Sequence, residues 1–78
     1  MATLRLFAQA RELAGTAKVD IDAATVGAVV AEARTRFGPD FASVADNARV
    51  WLNGSPADDA DPVVAGDEVA ILPPVSGG

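Results

Sequence analysis

Cysteine, histidine and tyrosine are all missing from this chain. Their absence removes whole classes of chemistry. No disulfide can staple the fold, no side-chain thiolate can attack a substrate, and no soft-ligand set for zinc can be assembled. No imidazole is present to act as general base. Cation-rich stretches are missing too: six Lys and Arg stand against eleven Asp and Glu, a formal net charge of −5. That balance argues against nucleic acid and anionic membrane surfaces as partners, and favours an electropositive protein. No apolar run approaches membrane-spanning length. Met1 runs almost at once into Thr3-Leu4-Arg5-Leu6-Phe7, without the basic segment and apolar run of a secretory leader. The lack of cysteine is compatible with a reducing cytosol, so a cytoplasmic location is expected.

The acids are spread over turn-like segments, from Glu12, Asp20 and Asp22 through Glu32, Asp40 and Asp46 to Asp58, Asp59, Asp61, Asp67 and Glu68. Carboxylates so dispersed read as a solvated surface rather than a catalytic pair. No catalytic side chain and no metal site are therefore expected. Any reactive group would be the carboxylate at the end of the chain.

What remains is a chain of 78 residues, half of them apolar, enough for one small globular domain whose core is near the lower limit for an unstapled fold. No repeat, linker or change of composition divides it. Leu4, Leu6 and Ala8 alternate with Thr3, Arg5 and Phe7, predicting a first strand over Thr3–Ala8. Gln9–Ala14 predicts one helical turn closed by Gly15. Lys18–Asp22 alternates again. Thr25 is placed to cap a helix with apolar residues at Val26, Val29, Val30, Ala33 and Phe37, stopped by Gly38-Pro39. Residues 39–48 read as a loop. Arg49–Leu52 predicts a third strand ending at the turn pair Asn53-Gly54, Ser55–Ala57 a short fourth, and Glu68–Leu72 the last. Strand, strand, helix, strand, short strand, strand is the order of an α+β, β-grasp domain with a mixed sheet covered by one main helix. The expected core is Leu4, Leu6, Val19, Ile21, Val26, Val29, Val30, Ala33, Phe37, Val50, Leu52, Val69 and Ile71.

After the last strand come Pro73-Pro74-Val75-Ser76-Gly77-Gly78. Two prolines end ladder pairing and favour an extended exit. Glycine has no Cβ, so Gly77 and Gly78 fit a channel too narrow for other residues and leave the terminal carboxylate unhindered. Residues 74–78 are expected to form an extended, flexible tail.

Two segments are familiar. Phe7-Ala8-Gln9-Ala10-Arg11-Glu12-Leu13-Ala14-Gly15 resembles the Phe-Ala-x-x-Arg-Glu-x-x-Gly segment of the small subunit of molybdopterin synthase. Residues 66–78, from Gly66-Asp67-Glu68-Val69 to Pro73-Pro74-Val75-Ser76-Gly77-Gly78, resemble that family's Gly-Asp-Glu-Val-x-x-x-Pro-Pro-Val-x-Gly-Gly ending, with Ser76 where Thr is frequent. The resemblance spans nearly the whole chain, although the middle carries no matching motif, and the Gly-Gly pair alone is shared with thiamine-pathway sulfur carriers and ubiquitin-like modifiers. It implies a ubiquitin-like sulfur carrier. An E1-like enzyme using MgATP would adenylate Gly78, a persulfide would convert the adenylate to a thiocarboxylate, and the sulfur would pass to a cyclic pyranopterin precursor in the large synthase subunit. The implied assembly is a heterotetramer of two small and two large subunits. Pro74, Val75, Ser76 and Gly77 would thread into the partner's site, and the carrier itself would bind no cofactor.

The alternation of the strands extends this to a docking face. With Leu4, Leu6, Val69 and Ile71 turned to the core, Phe7, Ala70 and Leu72 emerge opposite, joined by Trp51 and flanked by Pro56. Arg11 is a further candidate contact, although a role in orienting the first turn with Glu12 competes with it. Asp67 and Glu68 are read as shaping the turn into the last strand. Two other functions fit the same residues: a carrier for thiamine or cysteine synthesis or a protein modifier, and an interaction domain with an inert terminus.

Overall fold

The computed structural model describes residues 1–74. Its elements are β1 (Ala2–Leu6), α1 (Ala8–Ala14), β2 (Lys18–Ile21), α2 (Val26–Phe37), α3 (Pro39–Asp46), β3 (Arg49–Leu52), β4 (Ser55–Pro56) and β5 (Glu68–Leu72). The strands form one sheet in the order β2-β1-β5-β3-β4. β1 and β5 are parallel at its centre, and every other neighbour is antiparallel. This is the β-grasp arrangement. Among the described residues, no helix is long and apolar enough to cross a membrane.

Local chemistry accounts for the boundaries. The expected first strand stops at Leu6 because Ala8 takes φ 52°, outside the β region, and starts α1. Gly15, at φ 74°, closes α1 in the left-handed conformation that glycine adopts without a Cβ penalty. Thr25 caps α2 as expected, its hydroxyl accepting from the Ala28 N–H. The loop that follows β4 satisfies two more N–H groups of that first turn: Val26 donates to the Asp61 carbonyl and Gly27 to the Asp59 carbonyl, both at 2.9 Å. The approach is so close that a Cβ on Gly27 would stand 2.9 Å from the Asp59 Cβ.

The loop expected over residues 39–48 is instead mostly helix. Gly38-Pro39 does end α2, but Pro39 then occupies the first turn of α3, where a missing N–H costs nothing. α3 buries Phe41 and Ala45, and the Phe41 ring stands 5.1 Å from that of Phe37 at the end of α2. α3 packs against α1 and α2, so it adds an unexpected helix beside the main helix α2 and the expected helical turn α1.

The core keeps most of its expected members. Leu4, Leu6, Ile21, Val26, Val29, Ala33, Val69 and Ile71 are buried. Val19, Val30, Phe37, Val50 and Leu52 pack against them but are only partly covered. Ala2, Ala10, Phe41, Ala45 and Val63 complete the buried set and were not expected. Phe41 is the largest fully buried side chain. Phe37, expected in the core, packs against it from a partly covered position.

Candidate functional site

The residues that bury one face of the sheet dictate what the other face presents. Register aligns Arg5, Ala70, Trp51 and Pro56 in one row across β1, β5, β3 and β4. The next row pairs Leu72 with Arg49, and one step beyond the Leu6–Ile71 pair brings Phe7, still extended, beside Leu72. Phe7 is 39% exposed, and Trp51, Ala70 and Leu72 are half-buried. The Arg5 guanidinium lies 5.9 Å from the Phe7 ring centroid, within cation–π range. The structure therefore brings Phe7, Leu72, Trp51 and Pro56 together on one face, where β5 ends.

Charge on this face is polarised. Strand alternation turns only two of the acids outward here, Asp20 and Glu68, and both stand in the row farthest from Leu72. Arg5 reaches back to Glu68 at 3.3 Å with both side chains half exposed, a pair worth little in water. Arg49 stands at the Leu72 end and has no ion-pair partner among the described residues. The apolar patch is rimmed by arginine, although the whole chain is acidic.

Arg11 is not on a strand of this sheet: it is exposed on α1, and its carbonyl accepts from the Gly15 N–H. Among the described residues neither Arg11 nor Glu12 forms an ion pair.

The way out of β5 is shaped by residues that sequence reasoning missed. Pro73 is buried and Pro74 exposed. Pro74 borders a shallow groove with Gln9 of α1 and Ser43, Val44 and Asn47 at the end of α3. Once α3 is mistaken for a loop, nothing in the sequence places these residues near the tail. Val75, Ser76, Gly77 and Gly78, the remaining residues expected to act, lie outside the described residues.

At the other end of β5 a small polar latch sets where the strand begins. The Asp67 carboxylate accepts from the Val64 N–H at 2.9 Å and from the Asn53 amide at 3.1 Å. Asn53 in turn accepts from the Glu68 N–H. The Val64 backbone bond first, and the Asn53 bond second, hold the Asp67 carboxyl below its ordinary pKa. Asn53 itself sits at φ 51°, followed by Gly54 at 85°, the geometry of a tight hairpin turn. Among the described residues no acidic group is placed to hold a metal ion.

Comparison with known proteins places the fold and the family. The chain is 40% identical over 85 residues to small archaeal modifier protein 1 of Haloferax volcanii, across 95% of this chain and 97% of that protein. The solution structure of small archaeal modifier protein 1 from Methanosarcina acetivorans superposes with a TM-score of 0.88 at 25% identity, covering 99% and 95% of the two chains. A chain from the complex of subunits 1 and 2 of molybdopterin-converting factor from Helicobacter pylori superposes with a TM-score of 0.74 over 99% and 97%, and at 22% identity it speaks for the fold alone. The sequence profile of the ThiS family matches residues 4–78, through the Gly-Gly pair. The chain belongs to the ThiS family of ubiquitin-like sulfur carriers and protein modifiers.

Proposed function

We propose that this protein is the sulfur-carrying small subunit of a molybdopterin synthase. The observation that carries the reading is the run Gly66-Asp67-Glu68-Val69 to Pro73-Pro74-Val75-Ser76-Gly77-Gly78, of which Glu68–Leu72 form β5 and all of which lies within the family match. A chain without thiols holds sulfur only on an acyl group, and the Gly78 carboxylate is the acyl group this motif supplies. An E1-like enzyme in the cytoplasm, using MgATP, joins the carboxylate to AMP and releases pyrophosphate. The outer sulfur of a persulfide attacks the acyl carbon and displaces AMP, and a second thiol then reduces the resulting acyl disulfide, which leaves the Gly78 thiocarboxylate and a new disulfide. The large subunit, docked on the face around Phe7, Trp51, Pro56 and Leu72, receives Pro74, Val75, Ser76 and Gly77 into its site. There the sulfur passes to the cyclic pyranopterin, within a heterotetramer of two small and two large subunits.

The test is intact-mass measurement after incubation with the activating enzyme, MgATP and a sulfur donor. Replacement of one oxygen by sulfur at Gly78 is expected, followed by dithiolene formation when the large subunit and pyranopterin are added. Deletion of Gly78 is expected to abolish transfer while leaving thermal stability unchanged, since misplacing a reacting group by about 1 Å can cost on the order of 10²-fold in rate. Transfer by the Gly78-deleted chain would exclude the thiocarboxylate.

The 40% identity to small archaeal modifier protein 1 favours a second reading of the same activated terminus, acyl transfer to protein amines. Amide-linked conjugates in cells, lost on deletion of Gly78, separate it from sulfur carriage alone.

A further inference from the structure

Of the six basic residues only one, Lys18, is a lysine. A guanidinium keeps its proton in proteins, whereas a lysine amine becomes a nucleophile once deprotonated. The chain therefore has a single side chain able to accept an acyl group as an amide. Its position suits that chemistry. Lys18 is exposed at the start of β2, the strand at the open edge of the sheet. Val19 and Ile21 turn to the core, so Lys18 and Asp20 face outward. No carboxylate approaches Lys18 closely enough to form an ion pair among the described residues. The acid that shares its face on β2, Asp20, accepts a hydrogen bond from Thr3 instead. Opposite Lys18 in register stands another cation, Arg5.

We propose that Lys18 is an acyl-acceptor site, its ε-amine receiving the Gly78 acyl group of a second copy of this chain. The inference rests on the activation of Gly78 argued above, in its amine-transfer form. The deprotonated Lys18 Nζ attacks the carbonyl carbon of a Gly78 adenylate. The C–N bond forms, the bond from that carbon to the phosphate oxygen breaks, AMP leaves with the electron pair, and the amine proton passes to water. Carboxylate, amine and ATP give amide, AMP and pyrophosphate, with no oxidant or reductant.

The donor is a second copy because of direction. β1 and β5 run parallel, and Arg5 is level with both Ala70 and Lys18. Lys18 thus lies two strands across from β5 and behind Leu72 as the chain travels. Pro73 and Pro74 favour an extended continuation, so a chain reaching its own Lys18 would have to reverse just where its backbone is stiffest. An incoming tail meets no such obstacle, and since the Thr16 hydroxyl accepts from the Lys18 N–H and donates to the Lys18 carbonyl, what this position offers an incoming chain is its side-chain amine rather than its backbone.

The test is expression of the tagged protein in its source cells, with denaturing purification and mass measurement. A species of twice the chain mass less one water is expected. Trypsin should yield a branched peptide joining residues 12–34, through Lys18, to residues 50–78, because Arg11, Arg34 and Arg49 are the bounding cleavage sites. Lys18→Arg should lose this species and keep the Gly78 thiocarboxylate. The assignment is overturned if the dimeric adduct persists in Lys18→Arg, if the only adduct has the monomer mass less one water, or if thiocarboxylate forms without any adduct. Absence of both thiocarboxylate and adduct overturns the activation reading together with it.

Discussion

At the scale of single residues, Asp67 shows how one carboxylate fixes the geometry of a strand. It ties the turn before β5 to the Asn53-Gly54 hairpin, joining two segments far apart in sequence. Since hydrogen bonds favour its charged form, the folded pKa lies below the unfolded one. Protons bind the unfolded state more readily, so the stabilisation is present above the unfolded pKa and is lost as pH falls through the folded value. Melting temperature should therefore drop on the acid side, below about pH 4, more steeply in the parent than in Asp67→Asn. Equal acid slopes would show that the latch carries no such linkage. Gly27 is a second position where one atom decides. Alanine there is the better helix former, yet its Cβ would meet Asp59 at 2.9 Å and push the loop from the α2 N-terminus. Gly27→Ala should lower stability, and a rise in melting temperature would show that the loop yields freely.

At the scale of elements, α3 contributes most of what the sequence pattern did not reveal. Phe41 is wholly buried, so Phe41→Ala should cost about 3–5 kcal/mol in chemical denaturation. Phe37→Ala, at a partly covered site, should cost less, and the reverse order would make Phe37 the more tightly packed of the two rings. The strands and α2 were legible because their apolar residues repeat with periods of two or near 3.6 over enough positions to define a face. Leu4 and Leu6 against Val69 and Ile71 set the register from alternation alone, and their full burial bears it out. Leu6→Ala or Ile71→Ala should accordingly cost about 2–5 kcal/mol. α3 was hidden because it is short, begins with a proline, and carries only Phe41 and Ala45 as buried residues. The groove beside Pro74 was lost with it. The patch of Phe7, Trp51, Pro56 and Leu72 was legible by subtraction, as whatever alternation left outside. Arg11 was not placed, since a short helix after a left-handed Ala8 has no direction readable from residue types.

At the scale of the whole molecule, the separation of acidic charge from the apolar face proposed for docking leads to the last prediction. The chain is acidic overall, but Arg49 and Arg5 stand beside the apolar patch while Asp20 and Glu68 stand away from Leu72. Long-range attraction would then bring an electropositive partner near, and contacts at the face would call for carboxylates set around an apolar centre. Phe7→Ala and Leu72→Ala should each weaken binding to the large synthase subunit by about 1–3 kcal/mol, the scale of a removed interface anchor. Neither side chain is fully buried in the isolated domain, so stability should change much less than in Ile71→Ala. Arg49→Glu should weaken the same complex at low salt, with the loss shrinking as salt screens the exposed charge. Titration calorimetry and thermal melts on the three variants separate the possibilities. Affinity lost with stability retained assigns the face to docking; unfolding by Phe7→Ala or Leu72→Ala, with affinity unchanged in the folded fraction, would assign those side chains to the core instead.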